Sequence, residues 1–217
     1  MNVTLKIKRG EVYKTYTAAA GDNSTVAGLL DQINMTEEDP VEWECSCRQG
    51  MCGACAMRIN HRPALACNSF VRDLGSVITL EPLSKFPLIR DLKVDRSILQ
   101  KMIQEMKAYP AENAAADSRE AERQYLSASC LMCGCCLEVC PGFTGAGLFG
   151  SAFLMHAVYK TVSQETDRDR KRELTRKYRK TQYTGCTGSL ACAEVCPLKL
   201  PQASSFSRMN QKMLYGV

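Results

Sequence analysis

The sequence predicts an α+β fold in two parts, a strand-rich N-terminal domain followed by an all-α domain. Three observations carry that prediction. Apolar residues alternate at period two near the N-terminus, the spacing turns helical beyond Pro82 and Pro87, and the chain's 13 cysteines fall in clusters within a Gly-rich loop and within the helical part.

Taken in order, residues 2–9 place Val3, Leu5 and Ile7 on one face of a strand. Residues 12–17 form its hairpin partner across a turn at Gly10. Ser24 is the expected N-cap of a helix that carries Val26, Leu29, Leu30 and Ile33 at helical spacing and packs on the hairpin. A Gly- and Cys-rich loop follows, and then short strands at residues 57–59 and 77–80. Two strands, a helix and further strands enclosing a cysteine loop is the order of a β-grasp ferredoxin module, assigned to residues 1–94. The boundary falls near Asp95, and residues 95–217 form the helical domain. There, Ile98, Met102, Ile103 and Met106 make one helix face, Leu148, Phe153, Leu154, Ala157 and Val158 suggest another, and residues 109–117 form a loop.

Composition narrows the function classes. Hydrophobic residues at 45% and charged residues at 24% are ordinary for a folded globular protein. The first ten residues lack the apolar core of a signal peptide, so export is not expected. The longest apolar stretch, residues 147–158, falls short of the roughly 18 residues of a membrane span, so membrane attachment is expected through another subunit. The basic run from Arg168 to Lys180 is broken by Asp169 and Glu173 and reads as a solvated helix face rather than a phosphate-binding patch. No nucleic-acid motif is present. In a chain expected to stay cytoplasmic, clustered cysteines hold metal more often than they form disulfides.

Cys47, Cys52, Cys55 and Cys67 follow the C-x4-C-x2-C…C spacing of plant-type 2Fe-2S ferredoxins. Gly50 and Gly53 let that loop bend and bring backbone N–H groups toward the sulfides. A zinc site is the bland alternative, but zinc knuckles favour paired C-x2-C units over a 4-2 spacing. Cys130, Cys133, Cys136 and Cys140-Pro141 form a C-x2-C-x2-C-x3-C-P run, in which the fourth cysteine ligates a second cluster. The second cluster finds its ligands downstream at Cys186, Cys192 and Cys196-Pro197. By the crossover rule Cys130, Cys133, Cys136 and Cys196 hold a 4Fe-4S cube. Cys140 joins Cys186 and Cys192, and three thiolates suit a 3Fe-4S centre unless a non-cysteine ligand fills the vacant corner. Cys45 and Cys135 remain over and read as small packed thiols without a ligand role. Three centres that each exchange single electrons imply a wire rather than a catalyst, and His61 and His156 alone make no acid-base site.

The run from Ser46 to Met57, the Leu65-Ala66-Cys67 segment, Pro82-Leu83, the stretch from Ile89 to Asp95 and both Cys-Pro runs resemble the iron-sulfur subunits of succinate dehydrogenase and fumarate reductase. The resemblance spans residues 2 to about 201. It implies a β-grasp domain followed by a helical ferredoxin domain, with the 2Fe-2S cluster toward an FAD-containing flavoprotein subunit. The 3Fe-4S cluster then faces a membrane-anchor cytochrome b subunit carrying haem b, where menaquinone or ubiquinone reacts. It also implies a peripheral place on the cytoplasmic face of the inner membrane and a role in the tricarboxylic acid cycle or anaerobic respiration. Succinate dehydrogenases of this family commonly carry tryptophan shortly after the cysteine matching Cys140 and histidine after that matching Cys186. This chain has Phe143 within the first stretch and Thr187 in the second position, a departure that resembles the fumarate reductase branch and a menaquinol link. Pro141 and Thr187 are the candidates for lining a quinone site, although both equally suit shaping the cluster loops. The alternative is an iron-sulfur donor subunit for a thiol-linked or heterodisulfide-reductase-like fumarate reductase, which is expected to carry a further cysteine-rich domain.

Overall fold

The computed structural model describes residues 2–111, 114–115 and 118–216. It divides into two compact units: residues 1–96 with Cys133–Glu138, and residues 97–132 with 139–217.

In the first unit, β1 (Asn2–Arg9) pairs antiparallel with β2 (Val12–Ala19), from Asn2 opposite Ala19 to Arg9 opposite Val12. That register leaves a two-residue turn, and Gly10 enters it at φ +63°, a conformation glycine adopts at little cost. The helix α1 (Val26–Asn34) buries Val26, Leu29, Leu30 and Ile33 against the sheet. Its N-cap is Thr25 rather than Ser24. The Thr25 hydroxyl accepts from the Gly28 N–H at 3.2 Å, whereas the Ser24 hydroxyl turns back to accept from Gly21 N–H at 2.9 Å.

Strands β3 (Ala56–Ile59), β4 (Arg62–Leu65) and β5 (Val77–Glu81) complete a mixed sheet in the order β2-β1-β5-β3-β4, with β1 and β5 parallel. Sequence reasoning missed β4 because Pro63 interrupts it, and a proline is tolerated there since β4 is an edge strand. Val3, Leu5, Ile7, Ile78 and Leu80 are fully buried and form the centre of the core. A small hairpin, β6 (Leu88–Arg90) and β7 (Lys93–Val94), carries Asp91 at its tip with φ +48°. The Arg9 guanidinium donates to both carboxylate oxygens of Asp91 at 3.0 Å, and Asp91 also accepts from Glu42 N–H at 2.9 Å. Burial alone pushes the Asp91 carboxyl up, but those donors more than offset it and hold it below the ordinary range.

The second unit is helical. α2 (Ser97–Met106) buries Leu99, Met102 and Met106, so its inner face is turned by one residue from the expected Ile98-centred stripe. α3 (Ala121–Ala128) precedes the run of cysteines. The short α4 (Cys135–Val139) lies within that run, and its residues Cys135–Glu138 belong to the first unit. α5 (Ser151–Gln164) is the hub, packed by α2 and α3, and by α6 (Arg168–Tyr178) and α8 (Gln202–Tyr215), while α7 (Ala191–Glu194) lies beside α8. Being buried nearly all round, α5 shows only a faint helical stripe. Phe153, Leu154 and Val158 are buried within it, Ala157 is half-buried, and Leu148 stands in the preceding turn. Of the loop expected over residues 109–117, Glu112, Asn113, Ala116 and Asp117 lie outside the described residues. Among the described residues no helix is long and apolar enough to cross a membrane.

Glu120 ties α3, α5 and α8 together. Its carboxylate accepts from the Tyr159 hydroxyl and from Arg208 Nη2 at 2.6 Å, with Lys212 Nζ at 3.4 Å. His156 is buried beside this core, with Nδ1 3.1 Å from Ser127 Oγ and Nε2 2.7 Å from Gln202 Oε1. Burial lowers its pKa, as expected of a neutral structural imidazole.

Candidate metal centres

The loop from Cys45 to Cys55 leaves the sheet region and returns at β3. Gly50 and Gly53 take φ of +74° and +75°, and Arg48 takes +59°, which curls the backbone so that its N–H groups face sulfur. Met51 N–H donates to Cys47 Sγ and Gly50 N–H to Cys67 Sγ, each at 3.2 Å. Cys55 Sγ lies 3.2 Å from Cys67 Sγ, and both cysteines are buried. N–H donors stabilise the thiolate form: hydrogen bonds from the Gln49 and Met51 backbone bring the Cys47 thiol down to about 7. Burial pushes the Cys55 thiol up to about 12, against the lowering effect of the Cys67 N–H that donates to it at 3.5 Å.

The loop is held from outside. Arg48 donates with both terminal nitrogens to the Asp31 carboxylate on α1. Arg96 does more: its guanidinium donates to Gly53 O at 2.8 Å, Ala54 O at 3.0 Å, Glu44 Oε2 at 2.6 Å and Cys133 O at 3.3 Å. One side chain thus fixes the turn between Cys52 and Cys55 and the first residue of the Cys133–Glu138 segment. Sequence reasoning did not single Arg96 out; an arginine directly after the resembling Ile89–Asp95 stretch is the signal that was available. Glu138, also buried, accepts from Ser84 N–H at 2.9 Å, Ser84 Oγ at 2.6 Å and Lys85 N–H at 3.1 Å, pinning the same segment. Gly134, at φ +89°, sits so close to Phe86 that a Cβ would stand 3.0 Å from its ring.

Of the expected 4Fe-4S ligands, Cys133 and Cys136 belong to the first unit and Cys130 and Cys196 to the second. The leftover Cys135 is fully buried, and its hydrogen bond lowers the Cys133 thiol to about 7. Cys45 is half-buried, and burial raises its thiol.

Cys140, Cys186 and Cys192 all lie in the second unit and are near enough to feel one another. Burial raises the Cys192 thiol, and the charges of Cys140 and Cys186 raise it further. Two glycines permit the approach. A Cβ on Gly142 would stand 2.7 Å from Gly185 O, and one on Gly185 would stand 2.5 Å from the Phe149 ring. The segments that follow Cys140 and precede Cys186 therefore touch backbone to backbone. Gln182 locks the same region: it is fully buried, accepts from Gly150 N–H at 2.9 Å and donates to Leu148 O. Pro141 and Thr187 are both exposed, and Leu190 and Leu198 present apolar surface at 44% and 38% exposure.

Among the described residues, no group of three or more His, Cys, Asp and Glu side chains converges as ligands of one metal ion. Thiolates of an iron-sulfur cluster are distributed over two or more irons, so their donors ring an inorganic core and need no single common point. The donor set fits such a core: soft sulfur ligands, aimed N–H groups and glycine-rich close approaches.

A family model for a 2Fe-2S iron-sulfur cluster binding domain matches residues 4–101, and one for a 4Fe-4S dicluster domain matches residues 126–200. The chain is 31% identical to the succinate dehydrogenase iron-sulfur subunit of Bacillus subtilis, over 79% of this chain and 72% of that one. It is 28% identical to the fumarate reductase iron-sulfur subunit of Wolinella succinogenes, over 93% and 90%. An uncharacterised iron-sulfur protein of Methanocaldococcus jannaschii is 34% identical over 92% of this chain and 41% of its own length. Among solved structures, a chain of the Mycobacterium smegmatis Sdh1 complex superposes with a TM-score of 0.85 at 21% identity, covering 98% of this chain and 95% of that one, a likeness of fold. On sequence, cysteine order and fold together, the chain belongs to the family of iron-sulfur subunits of succinate dehydrogenases and fumarate reductases.

Proposed function

We propose that this chain relays single electrons between an FAD-containing flavoprotein subunit, where succinate and fumarate interconvert, and a quinone site at a membrane-anchor cytochrome b subunit. In this reading Cys47, Cys52, Cys55 and Cys67 hold a 2Fe-2S cluster. Cys130, Cys133, Cys136 and Cys196 hold a 4Fe-4S cluster, and Cys140, Cys186 and Cys192 a 3Fe-4S cluster. Bound clusters would supply one-electron exchange. The protein's own part is to hold thiolates, to aim N–H groups that set the potential of each centre, and to keep water from the buried sulfurs.

The observation that carries the reading is the separation of two thiol groups by environment. Cys55 and Cys67 adjoin under aimed N–H groups of the first unit, and Cys140, Cys186 and Cys192 group beside the Gly142–Gly185 approach of the second. The exposed stretch around Thr187 and Leu190 supports an anchor contact near the latter group, with Pro141 and Thr187 lining the quinone site. Thr187 in place of histidine favours menaquinol and fumarate reduction. The same reading puts the chain in a peripheral place on the cytoplasmic face of the membrane.

The test is to isolate the chain with its native partners. A flavin-bearing polypeptide and a haem-bearing membrane polypeptide should copurify, and reduced menaquinone analogue should be oxidised in step with fumarate. The second reading is that of a donor subunit to a thiol-linked or heterodisulfide-reductase-like fumarate reductase. Copurification of a cysteine-rich polypeptide in place of the haem-bearing one, with thiol oxidation coupled to fumarate, establishes that second reading and overturns the first.

A further inference from the structure

We propose that the cavity between α6 and α8 is a binding site for phosphate groups. Helical spacing puts Arg168, Lys171, Arg172, Arg176 and Arg179 along one face of α6 and its continuing turn. These five, with Lys212 of α8, line a cavity of about 550 Å³ into which no carboxylate projects among the described residues.

The charges on that wall are largely uncompensated. Glu173, the acidic residue in the middle of α6, points elsewhere and is occupied by Lys177 at 3.1 Å and Lys107 at 3.5 Å. Among the described residues Arg172 pairs only with the exposed Asp169 at 3.5 Å, a pair worth little in water. Among the described residues, Arg168, Lys171, Arg176 and Arg179 form no ion pair with a carboxylate.

Lys212 makes the cavity more than a charged surface. Its side chain is only 7% exposed, and its one carboxylate partner among the described residues, Glu120 at 3.4 Å, is shared with Arg208 at 2.6 Å. Glu120 therefore offsets the Lys212 charge only in part, and a concave wall concentrates the positive field of the arginines beside it. The chemistry that meets this is a multiply charged phosphate: arginine forks match its oxygens in pairs, while lysine supplies a point charge. The last turn of α8, capped at Gly216, opposes an anion through its carbonyl dipoles, but partial charges of about half a unit are outweighed by the full charges of Arg168, Lys171, Arg176 and Arg179.

Such phosphate reaches the cavity from one of two sources, a soluble di- or triphosphate or the headgroup of an anionic lipid. The test uses the cluster-loaded full chain and two probes, inorganic pyrophosphate followed by calorimetry and vesicles of phosphatidylcholine with phosphatidylglycerol followed by sedimentation. Arg176→Gln removes a cavity charge. Lys180→Gln removes a charge from the same basic run but outside the cavity, and melting curves confirm that both variants fold. Arg176→Gln should weaken binding about tenfold, equivalent to about 1.4 kcal/mol, while Lys180→Gln changes it less than about twofold. Selective loss with pyrophosphate identifies a soluble ligand, and selective loss with vesicles alone identifies a lipid headgroup. Equal weakening by both substitutions, or no binding of either probe by the wild type, overturns the proposal.

Discussion

Replacing Arg96 by alanine should loosen two cysteine segments at once. The side chain is 16% exposed and its guanidinium serves four acceptors: the Gly53, Ala54 and Cys133 carbonyls and the Glu44 carboxylate. Hydrogen bonds from a charged donor contribute roughly 1.5–3 kcal/mol each, but water can reach part of the vacated space and the four bonds share one side chain. A net cost of about 3 kcal/mol is therefore expected, below the sum of the parts. At roughly 2–4 °C per kcal/mol for a chain of this size, the melting midpoint should fall by about 6–12 °C. Arg96→Lys keeps the charge but loses the planar fork, so it should recover less than half of the loss. Calorimetry gives the midpoint, and electron paramagnetic resonance of the reduced 2Fe-2S centre reads the loop. Its signal should broaden or shift in potential in Arg96→Ala. An unchanged midpoint together with an unchanged 2Fe-2S signal would refute the bracing role.

Substitution of ligands should sort the three centres. Cys52→Ala is expected to abolish the 2Fe-2S resonance alone, Cys140→Ser the 3Fe-4S resonance, and Cys196→Ser the 4Fe-4S resonance first; loss of only the 4Fe-4S signal in Cys140→Ser contradicts the crossover. Burial pushes the Glu120 carboxyl up, but the Tyr159 hydroxyl, Arg208 and Lys212 offset this and hold it at about 2. A carboxyl with a depressed native pKa stabilises the fold above its unfolded pKa, and that stability is lost as pH falls toward the native value. Acid melting should therefore lose about 3 kcal/mol between pH 5 and about 2, and Glu120→Gln should flatten that part of the curve. Gly185→Ala should lower stability by about 1–3 kcal/mol, as overpacking does, and reduce occupancy of the 3Fe-4S centre, both measurable by melting and resonance on one sample.

Much of the first unit was legible because its signals are local. Val3, Leu5 and Ile7 alternate where one sheet face is buried, and Gly10 marks a turn that needs positive φ. The cap slipped by one residue because Ser24 and Thr25 are chemically alike and only the backbone path decides which hydroxyl meets Gly28. In the second unit the rule that apolar residues mark one face fails. α5 is buried on nearly every side, and α8 buries Gln202 and Lys212 along with Phe206 and Met209, so its polar composition hid it. The cysteine spacing named candidate ligands, yet it was silent on what brings them together. The Gly142–Gly185 approach, the Gln182 lock and the Arg96 brace depend on residues far apart in sequence, and no local pattern reports such pairs.

The most direct test of the relay is the content of iron and acid-labile sulfide in protein purified without oxygen. Thiols sorted into sets of four, four and three predict about nine irons and about ten sulfides per chain, with zinc negligible. Zinc in place of iron, or protein free of labile sulfide, would contradict it.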